Sequence, residues 1–266
     1  MSLNLLKWWQ TIKVSWVKYT AYRLNFFLQI VGPVLVFFFI KYNLWSAIYG
    51  ENPEQMIQGY NLKSMVTYHI WSMIVTMIGQ GHASYNMSED IRMGRISSYL
   101  IYPFNFWEFH TASFLSFQFL QLFISGVTIA ILVAFNFVEL PSTYFLFHGV
   151  LYTLFISLFW FTLQYMAGLL SFWLEETWIL RVLMGIVTGF LSGYLFPLDL
   201  YPDWLVSLLQ YTPFPYLTYY PIKIFMGQPS PLWIGYAMIG LWIIIGATIN
   251  HLIWKKGIKL YTAAGM

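Results

Sequence analysis

Cysteine is absent from this 266-residue chain, which excludes disulfides, thiolate metal sites and cysteine nucleophiles but says nothing about compartment. Acid is scarce: there are ten Asp and Glu in all, and none lies in the six long apolar stretches at residues 24–40, 64–88, 109–138, 140–174, 182–198 and 224–254. A carboxylate at mid-membrane costs about 2.5–3.5 kcal/mol and is kept where protons or ions are moved, so its absence argues against an ion-driven carrier. No glycine-rich loop ends in Gly-Lys-Ser/Thr, so ATP is not bound in the P-loop manner. A His pair at metal spacing, a serine nucleophile elbow and an intramembrane carboxylate pair are all missing. Adjacent Glu175 and Glu176 do not share a helix face and read as a solvated turn. His69, inside the second stretch, reads as a hydrogen-bonded packing residue or, alternatively, a proton relay. A net charge of +3 is too small to indicate nucleic acid. The first twenty residues lack a signal-peptide core and cleavage site, so the first apolar stretch is expected in the mature protein.

What is present is hydrocarbon. With 59% hydrophobic, 21% aromatic and 9% charged residues, the chain has more apolar surface than a soluble domain of its size can hide. Crossing a bilayer takes about 20 apolar residues, and the two shortest stretches reach that length if Arg23 and Arg181 snorkel. The sequence therefore predicts an all-α polytopic membrane protein with six transmembrane helices in a single domain. Lys7, Lys13, Lys18, Arg23, Arg92, Arg95, Arg181, Lys255, Lys256 and Lys259 fall on one side, and Lys41, Lys63 and Lys223 on the other. The positive-inside rule then places both termini in the cytoplasm.

Three segments outside the spans carry pattern. In residues 1–20, Leu5, Trp8, Trp9, Ile12 and Trp16 share a helical stripe with Lys7 and Lys18 opposite, as in an interfacial amphipathic helix, either a plain surface anchor or a mechanical contact. In residues 88–103, Ser88 caps and Glu89 and Asp90 favour a helix start, Met93, Ile96 and Leu100 fall on one face with Arg95 and Ser98 on the other, and Pro103 stops the run. Gly94 inside that helix suggests a close approach. Residues 197–231 are rich in proline and aromatics, with a short helix from Pro202 to about Gln210 and no regular helix past Pro213, Pro215 and Pro221. This partly re-entrant outer segment is expected to cap something. Asn25, Gln29 and the Gly32-Pro33 break mark the first span. Gly185, Gly189 and Gly193 place one glycine per turn on a face of the fifth, for intramolecular packing or a subunit interface.

The chain resembles the membrane subunit of bacterial type-2 ABC exporters, in the branch with single six-span permeases. The likeness rests on Ile91, Gly94, Ile96, Leu100 and Pro103 in the inner loop, and on Pro197, the run Pro202-Asp203-Trp204-Leu205, Pro213-Phe214 and Pro221 in the outer segment. At the end it rests on Trp254-Lys255-Lys256-Gly257 with Tyr261, Ala264 and Gly265. It implies a non-catalytic permease in the bacterial inner membrane. This subunit would work with a second permease of the same or a different sequence and with P-loop ATPase subunits that hold ATP and Mg2+, binding no cofactor itself. By the same likeness, Glu89, Asp90, Ile91, Arg92, Met93, Gly94, Arg95, Ile96 and Leu100 form a coupling helix docked on the ATPase, and the N-terminal helix makes a second contact. Spans one, two and five border the path, and the cargo is a lipid, glycan, peptide or drug. A lipid-modifying membrane enzyme, an ion-coupled carrier and a membrane scaffold are the rival readings.

Overall fold

Two reciprocal capping boxes fix helix starts that the sequence encodes locally: Asn61 with Ser64, and Asn105 with Glu108. The computed structural model describes residues 3–21, 23–80, 84–101 and 105–261. Its helices are α1 (Leu3–Thr20), α2 (Arg23–Val36), α3 (Asn43–Tyr49), α4 (Leu62–Gly79), α5 (Ser84–Arg92), α6 (Ile96–Ile101) and α7 (Phe106–Ala134). They continue with α8 (Thr143–Leu169), α9 (Trp178–Leu191), α10 (Asp203–Leu209), α11 (Phe214–Leu217), α12 (Tyr219–Phe225) and α13 (Leu232–Gly257). No β-strand occurs among the described residues. Four segments are long and apolar enough to cross a membrane, Val31–Tyr49, Phe106–Ala134, Thr143–Phe172 and Leu232–Gly257. The protein is an all-α polytopic membrane protein.

The bundle is built around α4, which is buried over most of its length against α3, α7, α8 and α12. Because protein rather than lipid surrounds it, α4 tolerates Tyr68, His69 and Ser72. Trp71 lies flat on Phe225 with ring centres 4.5 Å apart. On the other side α8 and α13 pack along their lengths, with Gly235 and Gly246 beneath Tyr152 and Thr162. By contrast, α9 touches little of the chain and leaves Ile179, Val182, Leu183, Ile186, Val187 and Phe190 exposed.

Several boundaries differ from the sequence reading. The first span does not end before Lys41: helix continues through a π stretch, Phe37–Tyr42, and α3 to Tyr49. Lys41 is accommodated there because its Nζ donates to the Leu195 carbonyl (3.0 Å) and lies over the rings of Tyr194 and Phe196. The second span closes at Gly79 rather than Ser88, and the last begins at Leu232, not Ile224. Pro215 and Pro221 do not prevent helix, because each sits in the first turn of its own short helix, where no intrahelical N–H is required. As expected, α10 follows Pro202. α9, of 14 residues, is about 21 Å long at 1.5 Å per residue, shorter than the expected span.

Candidate functional site

The expected coupling segment is two helices rather than one. Ser88 lies within α5, so Glu89 and Asp90 are near its C-terminal end, not at a helix start. Gly94 is not inside a helix: its φ of +70° breaks the chain between α5 and α6 in a conformation that favours glycine. Consequently Met93 and Ile96 do not share a face, Met93 being exposed and Ile96 fully buried. Ile91 and Ile96 join Met87, Phe106, Phe114, Phe161, Tyr165 and Leu169 in an apolar cluster beneath the turn. Leu100 belongs to α6, with its side chain outside the described set, and Pro103 lies outside the described residues.

Polar ties hold this turn from three directions. The Asp90 carboxylate accepts from Arg95 Nη1 (3.3 Å) and Tyr99 Oη (2.9 Å), while Glu89 takes Arg95 Nη2 (3.2 Å). Burial, and then the Asp90 charge, push the Tyr99 hydroxyl pKa up, so it stays protonated and donating. His110 Nε2 stands 3.6 Å from Asp90, beyond hydrogen-bond reach. From the far end of the chain, Tyr261 Oη donates to the Gly94 carbonyl and accepts the Ser97 N–H (3.3 Å). From the turn before α9, Thr177 Oγ1 bonds Ser88 Oγ (2.9 Å), while Arg92 Nη1 donates to the Glu175 carbonyl (2.7 Å) and to Glu176 (3.2 Å). The turn therefore contacts the heads of α7 and α9 and the tail of α13, while Arg92, Met93 and Arg95 remain exposed on its surface.

The N-terminal stripe divides. Trp8 and Ile12 turn toward α7 together with Ser15 and Tyr19, whereas Trp9 and Trp16 face outward, as does Leu5. Ser116 Oγ donates to the Ile12 carbonyl (3.0 Å) and Ser15 Oγ meets Ser113 Oγ (3.0 Å), so α1 and α7 pass in opposite senses. Asn25 and Gln29 fall in α2, with side chains outside the described set. The glycine trio does not hold as one helical face. Gly193 lies past the end of α9 with φ +84°, where a Cβ would stand 2.9 Å from Tyr68 Oη and 3.0 Å from Tyr219 Cβ. Among the described residues nothing lies within 4 Å of a Cβ at Gly185, and a Cβ at Gly189 meets Leu195. His69 stacks on Trp45 (5.7 Å) and meets Tyr68 edge-on, but its Nε2 has no hydrogen-bond partner among the described residues.

At the opposite end, sequence reasoning missed a polar latch. Asp199 accepts from Tyr60 Oη (2.5 Å), Tyr219 Oη (2.7 Å) and Lys223 Nζ (3.1 Å), and the ammonium also lies over both tyrosine rings. Burial alone would raise the Asp199 pKa, but the two tyrosine hydrogen bonds and the lysine charge outweigh it and hold the carboxyl below its ordinary value. The latch joins the loop before α4 to the segment between α9 and α13. Its members are up to 163 residues apart, and in the local sequence Asp199 is just one of two Asp residues, with Asp203, among prolines and aromatics.

The sequence model of the ABC-2 family transporter proteins matches residues 35–265, which takes in the π stretch, both helices of the α5–α6 turn, the latch and Tyr261. No curated protein and no solved structure matches the chain. A match over so much of the length, on an all-helical apolar bundle, places this chain in the ABC-2 transporter family.

Proposed function

We propose that the chain is the permease subunit of an ATP-driven exporter. It pairs with a second permease, of the same or a different sequence, and separate P-loop ATPase subunits carrying ATP and Mg2+ act on the α5–α6 turn from the cytoplasm. Six membrane crossings with both termini inside fit the basic residues around that turn. The cargo class is lipid, glycan, peptide or drug.

The observation that carries the mechanical part is the pair of ties from α5 to the head of α9. Ser88–Thr177 and Arg92 with Glu175 and Glu176 give a push on the turn a direct route to α9. α9 has few contacts of its own to break. A gate moved from 1:99 to 99:1 needs about 5.5 kcal/mol of differential binding, which the partner must supply because this chain has no P-loop.

Arg95→Glu and Gly94→Trp test the reading. Membranes containing the wild type should yield a co-purifying P-loop ATPase whose turnover responds to the permease. Both variants should fold, Arg95→Glu should lose the association, and Gly94→Trp should keep ATP turnover but lose transport. Transport by the purified chain alone in sealed vesicles, without a nucleotide-hydrolysing partner, would defeat the proposal.

A further inference from the structure

A groove of about 680 Å³ opens between α7, α8 and α13, away from α2, α4 and α9. That volume lies in the range of small-molecule sites, about 300–1,000 Å³. Its wall is formed by Trp107 and Leu115 of α7, Leu158 and Phe161 of α8, and Ile243 and Ala247 of α13. All of these but Ile243, which is near the middle of α13, lie in the halves of their helices nearer the α5–α6 turn.

Four polar side chains in the wall donate or accept within the protein, while Asn250 Oδ1 is buried with no hydrogen-bond partner among the described residues. Thr111 Oγ1 donates to the Trp107 carbonyl (2.7 Å) and Thr162 Oγ1 to the Leu158 carbonyl (2.8 Å). Asn250 Nδ2 donates to the Thr162 carbonyl (2.9 Å), and Asn105 is held in its capping box. What faces the opening is hydrocarbon and aromatic rings, which suits a hydrocarbon tail and not a sugar or peptide backbone. At its end toward the turn the groove is lined by Phe106 and Trp254, whose rings stack 5.2 Å between centres.

Charge lies one helical turn past the lining, at the turn-side end. Ala247 and His251 lie on one row of α13, and the next position on that row, one turn further, is Lys255, which is exposed and has no ion pair among the described residues. Exposed Trp107 and half-buried Trp254 flank it, the arrangement that aromatic residues adopt at a membrane–water boundary. The nearby carboxylate, Glu108, is turned back to accept the Asn105 N–H (3.2 Å).

We propose that this groove is a binding site for an anionic phospholipid of the adjacent leaflet, with an acyl chain between α7, α8 and α13 and the phosphate at Lys255. The site is independent of the transport path proposed above. It shares Phe106, Phe114, Phe161 and Tyr165 with the apolar cluster under the α5–α6 turn, so an acyl chain there supports the seat of that turn.

The test uses the full chain reconstituted in membranes of equimolar phosphatidylglycerol and phosphatidylcholine, extracted in mild detergent, with retained lipid counted by native mass spectrometry. The wild type should retain phosphatidylglycerol over phosphatidylcholine by about fivefold, as expected for one lysine facing an anionic headgroup, and Lys255→Gln should bring the ratio near one. Ala247→Trp, which fills the groove from an exposed position in its wall, should abolish retention of both. Ile244→Trp, on an exposed position outside the groove, should leave retention as in the wild type. Equal retention of the two lipids by the wild type, or unchanged retention by Ala247→Trp, overturns the proposal. So does disulfide-linked dimer formation by Ala247→Cys in the otherwise cysteine-free chain, which would put a second copy in the groove.

Discussion

Replacing Asp199 by Asn keeps the shape of the latch and removes its charge. The carboxylate now receives two hydroxyl hydrogen bonds and one ammonium, at 2.5, 2.7 and 3.1 Å. Hydrogen bonds to a charged group contribute about 1.5–3 kcal/mol against about 1 for neutral ones, so both tyrosine bonds weaken. Lys223, whose side chain is only 14% exposed, loses its one ion-pair partner among the described residues. Breaking a buried pair from one side costs about 3–5 kcal/mol, and the 30% exposure of Asp199 discounts that. The expected loss is about 3 kcal/mol, or roughly 6–12 °C in a thermal unfolding scan of the protein in nanodiscs, at about 2–4 °C per kcal/mol.

Adding Lys223→Met removes the stranded ammonium and should restore more than half of that loss, because the penalty comes mainly from an uncompensated charge. The pH dependence has a definite sign. Asp199 has its folded pKa below the unfolded value of about 3.9, so its contribution is present above that value and lost as pH falls through the folded pKa. The gap between wild type and Asp199→Asn should stay constant from pH 8 to pH 5 and close only in stronger acid. A shift under about 1 °C, or no recovery in the double variant, would refute the reasoning.

Gly168→Ala should disturb α5, since the added Cβ would lie 2.9 Å from Met87 Cβ, an atom fixed directly to the α5 backbone. Overpacking of this kind costs about 1–3 kcal/mol and should appear as faster hydrogen exchange over residues 84–92, which unchanged protection would contradict. Gly94→Ala forces an alanine to φ +70°, at about 1–2 kcal/mol, and Tyr261→Phe removes the bond to the same carbonyl, at about 1 kcal/mol. Because both loosen one turn, their losses in unfolding free energy should combine to less than their sum, and strict additivity would show that the two are uncoupled.

Features set by local composition were legible beforehand. Apolar stretches located α7 and α8 to within a few residues, Pro202 located α10, and short motifs around Gly94 and Pro213 pointed to the family. Features set by distant partners were not. Lys41 reads as a loop residue until the Leu195 carbonyl, 154 positions away, gives its ammonium a place inside a helix. Gly94 reads as a tolerated helical glycine until Tyr261 grips its carbonyl and holds it left-handed. Asp199 carries no pattern at all without Tyr60 and Lys223. The amphipathic stripe of α1 was drawn for one apolar environment, whereas α7 takes Trp8 and Ile12 and leaves Trp9 and Trp16 outside.

The π stretch at Phe37–Tyr42 has a counting consequence. A π turn holds one residue more than an α turn, so the part of the helix beyond it is rotated by about 100° relative to an unbroken one. That offset brings Trp45 and Tyr49 into the core and lets Lys41 reach Leu195. Excising one residue from the stretch would restore a regular helix and swing those three side chains off their partners together. Among sequences that keep this architecture, a one-residue deletion here and the disappearance of the lysine should therefore be inherited as a pair.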